Sequence, residues 1–245
     1  MKEGVSVYTF DGRVRYSEVG VDSNMTIESL LDYFQDASIF HSEEVGLGAD
    51  YFKEQHLAWL LSAWQICVNR RPHLCEHIVI GTAPYDFKGF VGLRNFWMKT
   101  KEGEVLAYAN SIWSLMDVEK QRPAKVEDDY GAIYHLEEKY PMEYAPRKIH
   151  IPADGVAMEP FAVRNHHLDT NHHVNNGQYV RMAMDYIPEQ FEIGQLRVEY
   201  KNQAVLDDMV YPVAAVNEDR TLYTVSLNRE DGRPYSIVEM KKAGV

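Results

Sequence analysis

The sequence predicts an α+β chain in which one arrangement occurs twice: a strand, an amphipathic helix, and four antiparallel strands wrapped around that helix. Three observations lead there. A helical pattern with apolar residues at i, i+3, i+4 and i+7 stands near the start of the first half, and a shorter helical segment stands at the same place in the second. Each helix is followed by four stretches rich in Val, Ile, Trp, Tyr and Phe, set apart by turn residues. A short match, Val21–Ile27 onto Leu168–Val174 without gaps, falls at the strand-to-helix junction of both halves, as duplication would leave it.

Taken in order, Val5 to Val19 alternates polar and apolar residues and predicts a first strand. The next segment puts Ile27, Leu30, Leu31, Phe34, Ser38, His41 and Val45 on one helical stripe, with Thr26 or Asn24 as cap and Gly46 as stop. Four strands are predicted in "AWLLSAWQICVNR" from Ala58, "HIVIGTAPYDF", "VGLRNFWMKT" and "VLAYANSIWSLMDV", the last two joined by a hairpin at Lys101 to Glu104. A charged stretch with three prolines predicts a linker over residues 126–145, with one short helix around Tyr130 to Glu137, between domains at 1–125 and 146–245. In the second domain "EPFAVRNHHL" is a strand and "NNGQYVRMAMDYI" a helix ended by Pro188. "QLRVEYKNQAV", "MVYPVAAVN", "TLYTVSLNR" and "YSIVEMKKA" complete it as four strands.

Composition narrows the function classes. A chain of 245 residues, 45% hydrophobic, can bury a sizeable core. Its longest apolar run, Leu57 to Val68, is broken by Ser62 and Gln65 and is too short to cross a bilayer, so no membrane span is expected. The amino terminus has neither a signal-peptide core nor a transit composition, which predicts a cytoplasmic protein with Cys67 and Cys75 as thiols. A net charge of −12 argues against nucleic acid as the main partner.

The candidate chemistry lies in "HHLDTNHHVNN", His166 to Asn176, which holds four of the ten histidines. The gapless match sets His173 opposite Thr26, so only the second copy carries an imidazole there. Here "DTNHHVNNGQYV" resembles the D-x-N-x-H-V-N-N segment of the acyl-acyl carrier protein (acyl-ACP) thioesterases, double-hotdog enzymes of plant plastids and bacteria. The helix "SLLDYFQDAS" is placed as in that family, and "RVEYKNQAV" resembles the later strand that supplies its remaining catalytic residue. The resemblance implies a tandem hotdog, each a curled antiparallel sheet around a central helix. It implies Asp169, Asn171 and His173 as catalytic residues, with Gln203 where the family has a glutamate and Ala204 where it has a cysteine. Glutamine takes no proton at neutral pH, although it donates and accepts hydrogen bonds.

Hydrolysing a thioester requires an activated water and donors for the carbonyl oxygen as it gains charge, with little help for the thiolate leaving group. His173 suits that chemistry, and Asp169 either orients the imidazole or is itself the base. Asn171 and Gln203 suit positioning of water or substrate. Direct attack by water is favoured over an acyl-enzyme through Asp169, and the absence of a Gly-x-Ser-x-Gly elbow argues against a serine hydrolase. Each residue also has a structural role open to it. Asp169, Asn171 and Asn175 are of types common in turns and at helix caps, His166 and His167 suit a strand surface, and His172 points away from whatever His173 faces. His41, Tyr179, Met182 and Met184 suit a core. A metal set in "HHLDTNHH" lacks i, i+4 helical spacing.

By resemblance the partner is acyl carrier protein bearing an acyl-phosphopantetheine, the first hotdog sets chain length and the second does the chemistry. No cofactor is expected. An apolar tunnel could be lined by Trp59, Trp64, Phe96, Trp97 and Trp113. An acidic carrier would need local cations, drawn from Arg70, Arg71, Arg94, Lys99, Lys101, Arg122, Lys125, Arg147, Lys148 and Lys201. The alternatives are an acyl-CoA thioesterase of the same fold, a metal-dependent hydrolase built on His166 to His173, and a non-catalytic acyl-binding hotdog. Two fused hotdogs could already form a paired unit, and a homodimer stays open.

Overall fold

A computed structural model describes residues 7–245. Val5 and Ser6, at the start of the predicted first strand, lie outside them. In chain order the first elements are β1 (Tyr8–Arg13), α1 (Ile27–Glu44), α2 (Ala49–Glu54), β2 (Leu57–Val68), β3 (His77–Lys88), β4 (Val91–Thr100), β5 (Val105–Asp117), β6 (Arg122–Pro123) and α3 (Tyr130–Ile133). The later ones are β7 (Val156–Ala157), β8 (Phe161–Ala162), α4 (Asn176–Met184), β9 (Ile193–Tyr200), β10 (Met209–Val216), β11 (Leu222–Asn228) and β12 (Pro234–Lys242). Two compact units result. One runs to Ser62 and resumes as Asn69–Tyr144; the other takes Ala63–Val68 and Ala145–Val245.

In the first unit the strand order is β1-β3-β4-β5-β2. The pairs β1–β3, β3–β4 and β4–β5 are antiparallel, with Thr82 opposite Phe96 and Asn95 opposite Asn110. Helix α1 follows its sequence pattern: Thr26 Oγ1 accepts the Ser29 N–H at 3.2 Å, and Ile27, Leu30, Leu31, Phe34, Ala37, Ser38 and His41 are buried. Phe34 meets Phe96 of β4 at 5.4 Å between ring centres, which fixes that face of the sheet as the one the helix covers. Val45 is the C-cap and Gly46, at φ 80°, ends the helix as expected.

Residues 126–145, expected as a linker, pack within the first unit as far as Tyr144. Tyr130 and Tyr134 are buried in a cluster with Leu47, Phe52 and Leu115. Tyr140 stacks on Trp97 at 6.0 Å and on Tyr108 at 5.4 Å. Its N–H and the Tyr144 hydroxyl both donate to Asn95 Oδ1 at 3.0 Å. Trp97 can lie flat there because its register partner is Gly81, where a Cβ would come 2.3 Å from the indole. Strand alternation therefore puts Trp97 on the opposite face from Phe96, and the two do not line one tunnel as expected.

In the second unit the strand order is β2-β9-β12-β11-β10-β7, antiparallel throughout, with β8 also paired to β10. Helix α4 has 9 residues against 18 in α1 and buries Gly177, Tyr179, Val180, Met182 and Ala183. Two expectations need correction. His166 and His167 lie on a 3-10 turn, Asn165–His167, instead of a strand. Strand β9 stops at Tyr200, so Gln203 lies in the loop that follows it. Among the described residues no helix is long and apolar enough to cross a membrane.

Candidate active site

The segment before α4 is a tight turn closed by backbone bonds. The Asp169 N–H donates to His173 O at 2.8 Å and the His172 N–H to Asp169 O at 3.1 Å, with His172 at φ 62° on the apex. The Asn175 N–H donates to His167 O, and Asn175 Oδ1 caps α4 by accepting the Gly177 N–H at 2.8 Å. The loop after β9 lies alongside: the Val174 N–H donates to Ala204 O at 2.9 Å and His173 bridges to Val205. That loop is pinned at both ends. The Ala204 N–H donates to the Tyr179 hydroxyl at 2.9 Å, and Asp208 accepts from the Val205 N–H and the Tyr235 hydroxyl. Burial pushes the Tyr179 phenol up, and burial with the Asp208 hydrogen bond takes Tyr235 up to about 12.

Asp169 is half-buried and spends Oδ1 on the backbone, accepting the Asn171 N–H at 2.8 Å and the His173 N–H at 3.3 Å. It forms no hydrogen bond to the His173 ring. His173 Nδ1 is buried with no hydrogen-bond partner. That nitrogen can give or take a proton at the mouth of a turn whose helix end favours negative charge. Asn171 and Gln203 are both exposed, Asn171 at the turn and Gln203 one residue before Ala204. His172 is exposed, while His167 Nδ1 accepts the Arg164 N–H at 2.9 Å. Among the described residues no three of His, Cys, Asp or Glu converge as a metal ligand set. The roles of Tyr179, Asp208 and Tyr235 are not visible in sequence; Tyr179 is in the core, as its apolar neighbours indicate, yet its hydroxyl carries the loop.

The first unit repeats this turn bond for bond, with a different alignment from the sequence match. The Gly20 N–H donates to Asn24 O, the Ser23 N–H to Gly20 O, the Met25 N–H to Pro72 O and the Thr26 N–H to Glu18 O, with Ser23 at φ 61°. These equate Gly20 with Asp169, Ser23 with His172, Asn24 with His173, and Thr26 with Asn175, both helix caps. The gapless match is therefore wrong by two residues. It paired Asp22 with Asp169 because both acids accept the N–H two residues on, a local turn feature that recurs at different points. In the correct register the first unit lacks both the carboxylate and the imidazole.

Comparison with known proteins gives the family. Residues 6–134 match the model of the acyl-ACP thioesterase N-terminal domain, and residues 152–240 that of the C-terminal domain. The chain is 28% identical to the acyl-[acyl-carrier-protein] hydrolase FATB3, chloroplastic, of Cuphea viscosissima, over 95% of this chain and 61% of that protein. It is 26% identical to the oleoyl-acyl carrier protein thioesterase 2, chloroplastic, of Arabidopsis thaliana, over 86% of this chain and 63% of the relative. It thus spans about three fifths of the length of these relatives. Among solved structures, an acyl-ACP thioesterase from Bacteroides thetaiotaomicron aligns with TM-score 0.88 at 19% identity, covering 96% of this chain and 97% of that one. The 12:0-ACP thioesterase of Umbellularia californica aligns with TM-score 0.85 at 18% identity, covering 98% of each. These likenesses show the fold, the tandem hotdog expected from sequence, and with the two matched domain models they make the chain a member of the acyl-ACP thioesterase family.

Proposed function

We propose that this chain hydrolyses the thioester of fatty acyl-ACP, releasing a free fatty acid, at the Asp169–His173 turn of its second unit. The observation that carries the reading is the difference between two otherwise equal turns: the second has a carboxylate and a partnerless buried imidazole nitrogen where the first has Gly20 and Asn24. In this mechanism water attacks the thioester carbonyl, with Asp169 or His173 as base. Asn171 and Gln203 orient water and substrate, and the N–H groups opening α4 face the developing negative charge. With Oδ1 committed to two N–H groups, Asp169 has its other oxygen left to take a proton. The first hotdog would select the acyl chain and the second perform the chemistry, in the cytoplasm, with acyl carrier protein as partner. Self-association as a homodimer is read separately, by sedimentation.

The test is hydrolysis of acyl-ACP and acyl-CoA of several chain lengths by the wild type, His173→Ala and Gln203→Glu. His173→Ala should lower kcat by about 10²- to 10⁴-fold. Turnover of acyl-CoA in preference to acyl-ACP would move the reading to an acyl-CoA thioesterase. No turnover of either by the wild type would leave a non-catalytic acyl-binding hotdog, a reading that the neutral Gln203 favours.

A further inference from the structure

Several of the cations counted above for docking are already taken. Arg94 is buried in the first unit, where its Nη1 donates to His41 Nδ1 at 2.9 Å. Arg70 is held by Glu76 and Glu104, Arg71 by Asp22, Lys125 by Asp128 and Lys201 by Glu199. The two matching turns show where free cations gather instead. The Glu18 N–H donates to Arg15 O at 3.0 Å and the His167 N–H to Arg164 O at 2.9 Å, so Arg15 matches Arg164 and Glu18 matches His167. At equal distance beyond the caps Thr26 and Asn175, Asp32 of α1 matches Arg181 of α4, and Asp36 matches Asp185. In the first unit Arg15 Nε donates to Glu18 Oε1 at 2.6 Å, and desolvation, with Asp36, Glu28 and Glu18 nearby, raises the Asp32 carboxyl to about 6. That face is acidic and its arginine is neutralised. In the second unit His167 Nδ1 accepts the Arg164 N–H, so the neutral ring carries its proton on Nε2. The Arg164 guanidinium has Asp207 at 4.0 Å, and among the described residues Arg181 has no ion pair. Desolvation lowers the His167 pKa, and His166, Arg181 and Arg164 lower it further, which places the four basic groups in one neighbourhood. The His166 and His167 rings stand 4.1 Å apart, and Arg164, His166 and Arg181 are exposed. The three matched places carry a net charge of −1 in the first unit and +2 in the second, with His167 neutral.

We infer that Arg164, His167 and Arg181 form the docking patch of the second unit for the acidic surface of acyl carrier protein. On a chain of net charge −12 an acidic partner is repelled at long range and is attracted only where cations are locally in excess. The patch adjoins the candidate site, since His167 O accepts the Asn175 N–H that closes the Asp169–His173 turn. A carrier seated there brings its prosthetic arm to that turn. At the matching place in the first unit Glu18 and Asp32 turn the same partner away, so the charge reversal directs the carrier to the copy that has the acid and the imidazole. The identity of the partner rests on the acyl-ACP reading above, whereas binding at the patch requires no turnover.

The test is calorimetric titration of the full chain with acyl carrier protein in its apo form, which lacks the prosthetic arm, and in its holo form. Both should bind, and raising the salt from about 0.05 M to about 0.3 M should weaken both several-fold. Arg164→Glu with Arg181→Glu should weaken binding by about tenfold or more. Lys88→Glu with Lys101→Glu, the same change of charge at exposed places in the first unit, should stay within about threefold of wild type. Equal weakening by the two double variants makes the effect one of net charge and overturns the patch, as does undiminished binding by the first. Binding of the holo form alone gives the cations to the phosphate of the arm and overturns the carrier surface as ligand. Should the first double variant fail to fold, Arg181→Ala and the salt series of the wild type supply the reading, and binding indifferent to both overturns the proposal. Hydrolysis of acyl-ACP by a chain whose charge variants bind the carrier undiminished removes the patch and leaves the reaction. Charge-dependent binding without turnover removes the reaction and leaves the patch.

Discussion

The buried His41 makes the stability of the first unit sensitive to acid by an amount that can be worked out. Burial, with Arg94 and His135 nearby, lowers its pKa from 6.5 to about 3. The residue is 1% exposed, so solvent screens little of this. In the unfolded chain the imidazole binds a proton below pH 6.5, and in the folded chain it stays neutral until about pH 3. The unfolded state then holds more protons, and stability falls as pH drops through that window, by up to about 1.4 kcal/mol per pH unit. Between pH of about 7.5 and about 4.5 the loss comes to roughly 2.7 kcal/mol. The perturbation is His41→Gln, which keeps an acceptor for Arg94 and removes the titration. Urea unfolding of both proteins across that range isolates the residue, because the carboxylates common to both cancel in the difference. The variant should be less stable near neutral pH, with a curve flatter by about 2 to 3 kcal/mol over the window. Curves that run parallel to within about 0.5 kcal/mol would show that His41 is not held neutral and refute the argument.

Asp169 serves the turn and, as proposed, the chemistry, and two substitutions separate these. Asp169→Asn keeps an Oδ1 acceptor for the Asn171 and His173 N–H groups, so it should unfold within about 1 kcal/mol of wild type while losing acyl-ACP hydrolysis. Asp169→Ala should lose activity and a further ~1–3 kcal/mol, read by urea unfolding. Tyr179→Phe strips the buried Ala204 N–H of its acceptor and should cost about 1–3 kcal/mol, with the loop at Ala204 to Asp208 gaining amide exchange ahead of β9. Phe34→Ala, on the covered face of α1, should cost about 3–5 kcal/mol, while the exposed Ile39→Ala should stay within about 0.5 kcal/mol.

Much of the fold was legible because period and element coincide here. The stripe from Ile27 to His41 buries as patterned, the four strands after each helix form, and Thr26 caps α1. Several of the failures share one cause: the deciding partner lies far along the chain. Tyr140 and Tyr144 read as linker residues because Trp97 and Asn95, which hold them, are some forty-five residues away. Gln203 read as strand because nothing local marks where β9 stops pairing. Arg94 read as a surface cation because its neighbours on β4 do not reveal that α1 lies over it. Tyr179 was placed correctly in the core, but the Ala204 N–H on its hydroxyl comes from 25 residues on.

The two-residue slip in the repeat carries the larger consequence. The backbone of this turn needs a residue at φ near +60° and a helix cap three residues later, met by Ser23 with Thr26 and by His172 with Asn175. The main-chain bonds of the frame form in the first unit with Gly20 and Asn24 at the positions where the second has Asp169 and His173, and Asp169 adds two side-chain bonds to them. A duplicated frame that fixes its shape through backbone can change its side chains at little cost to the fold, and one copy can gain or lose chemistry while both keep folding. Introducing the acid and imidazole into the first turn, as Gly20→Asp with Asn24→His, should therefore leave that unit folded, and its unfolding midpoint measures how far the frame is independent of the chemistry it carries.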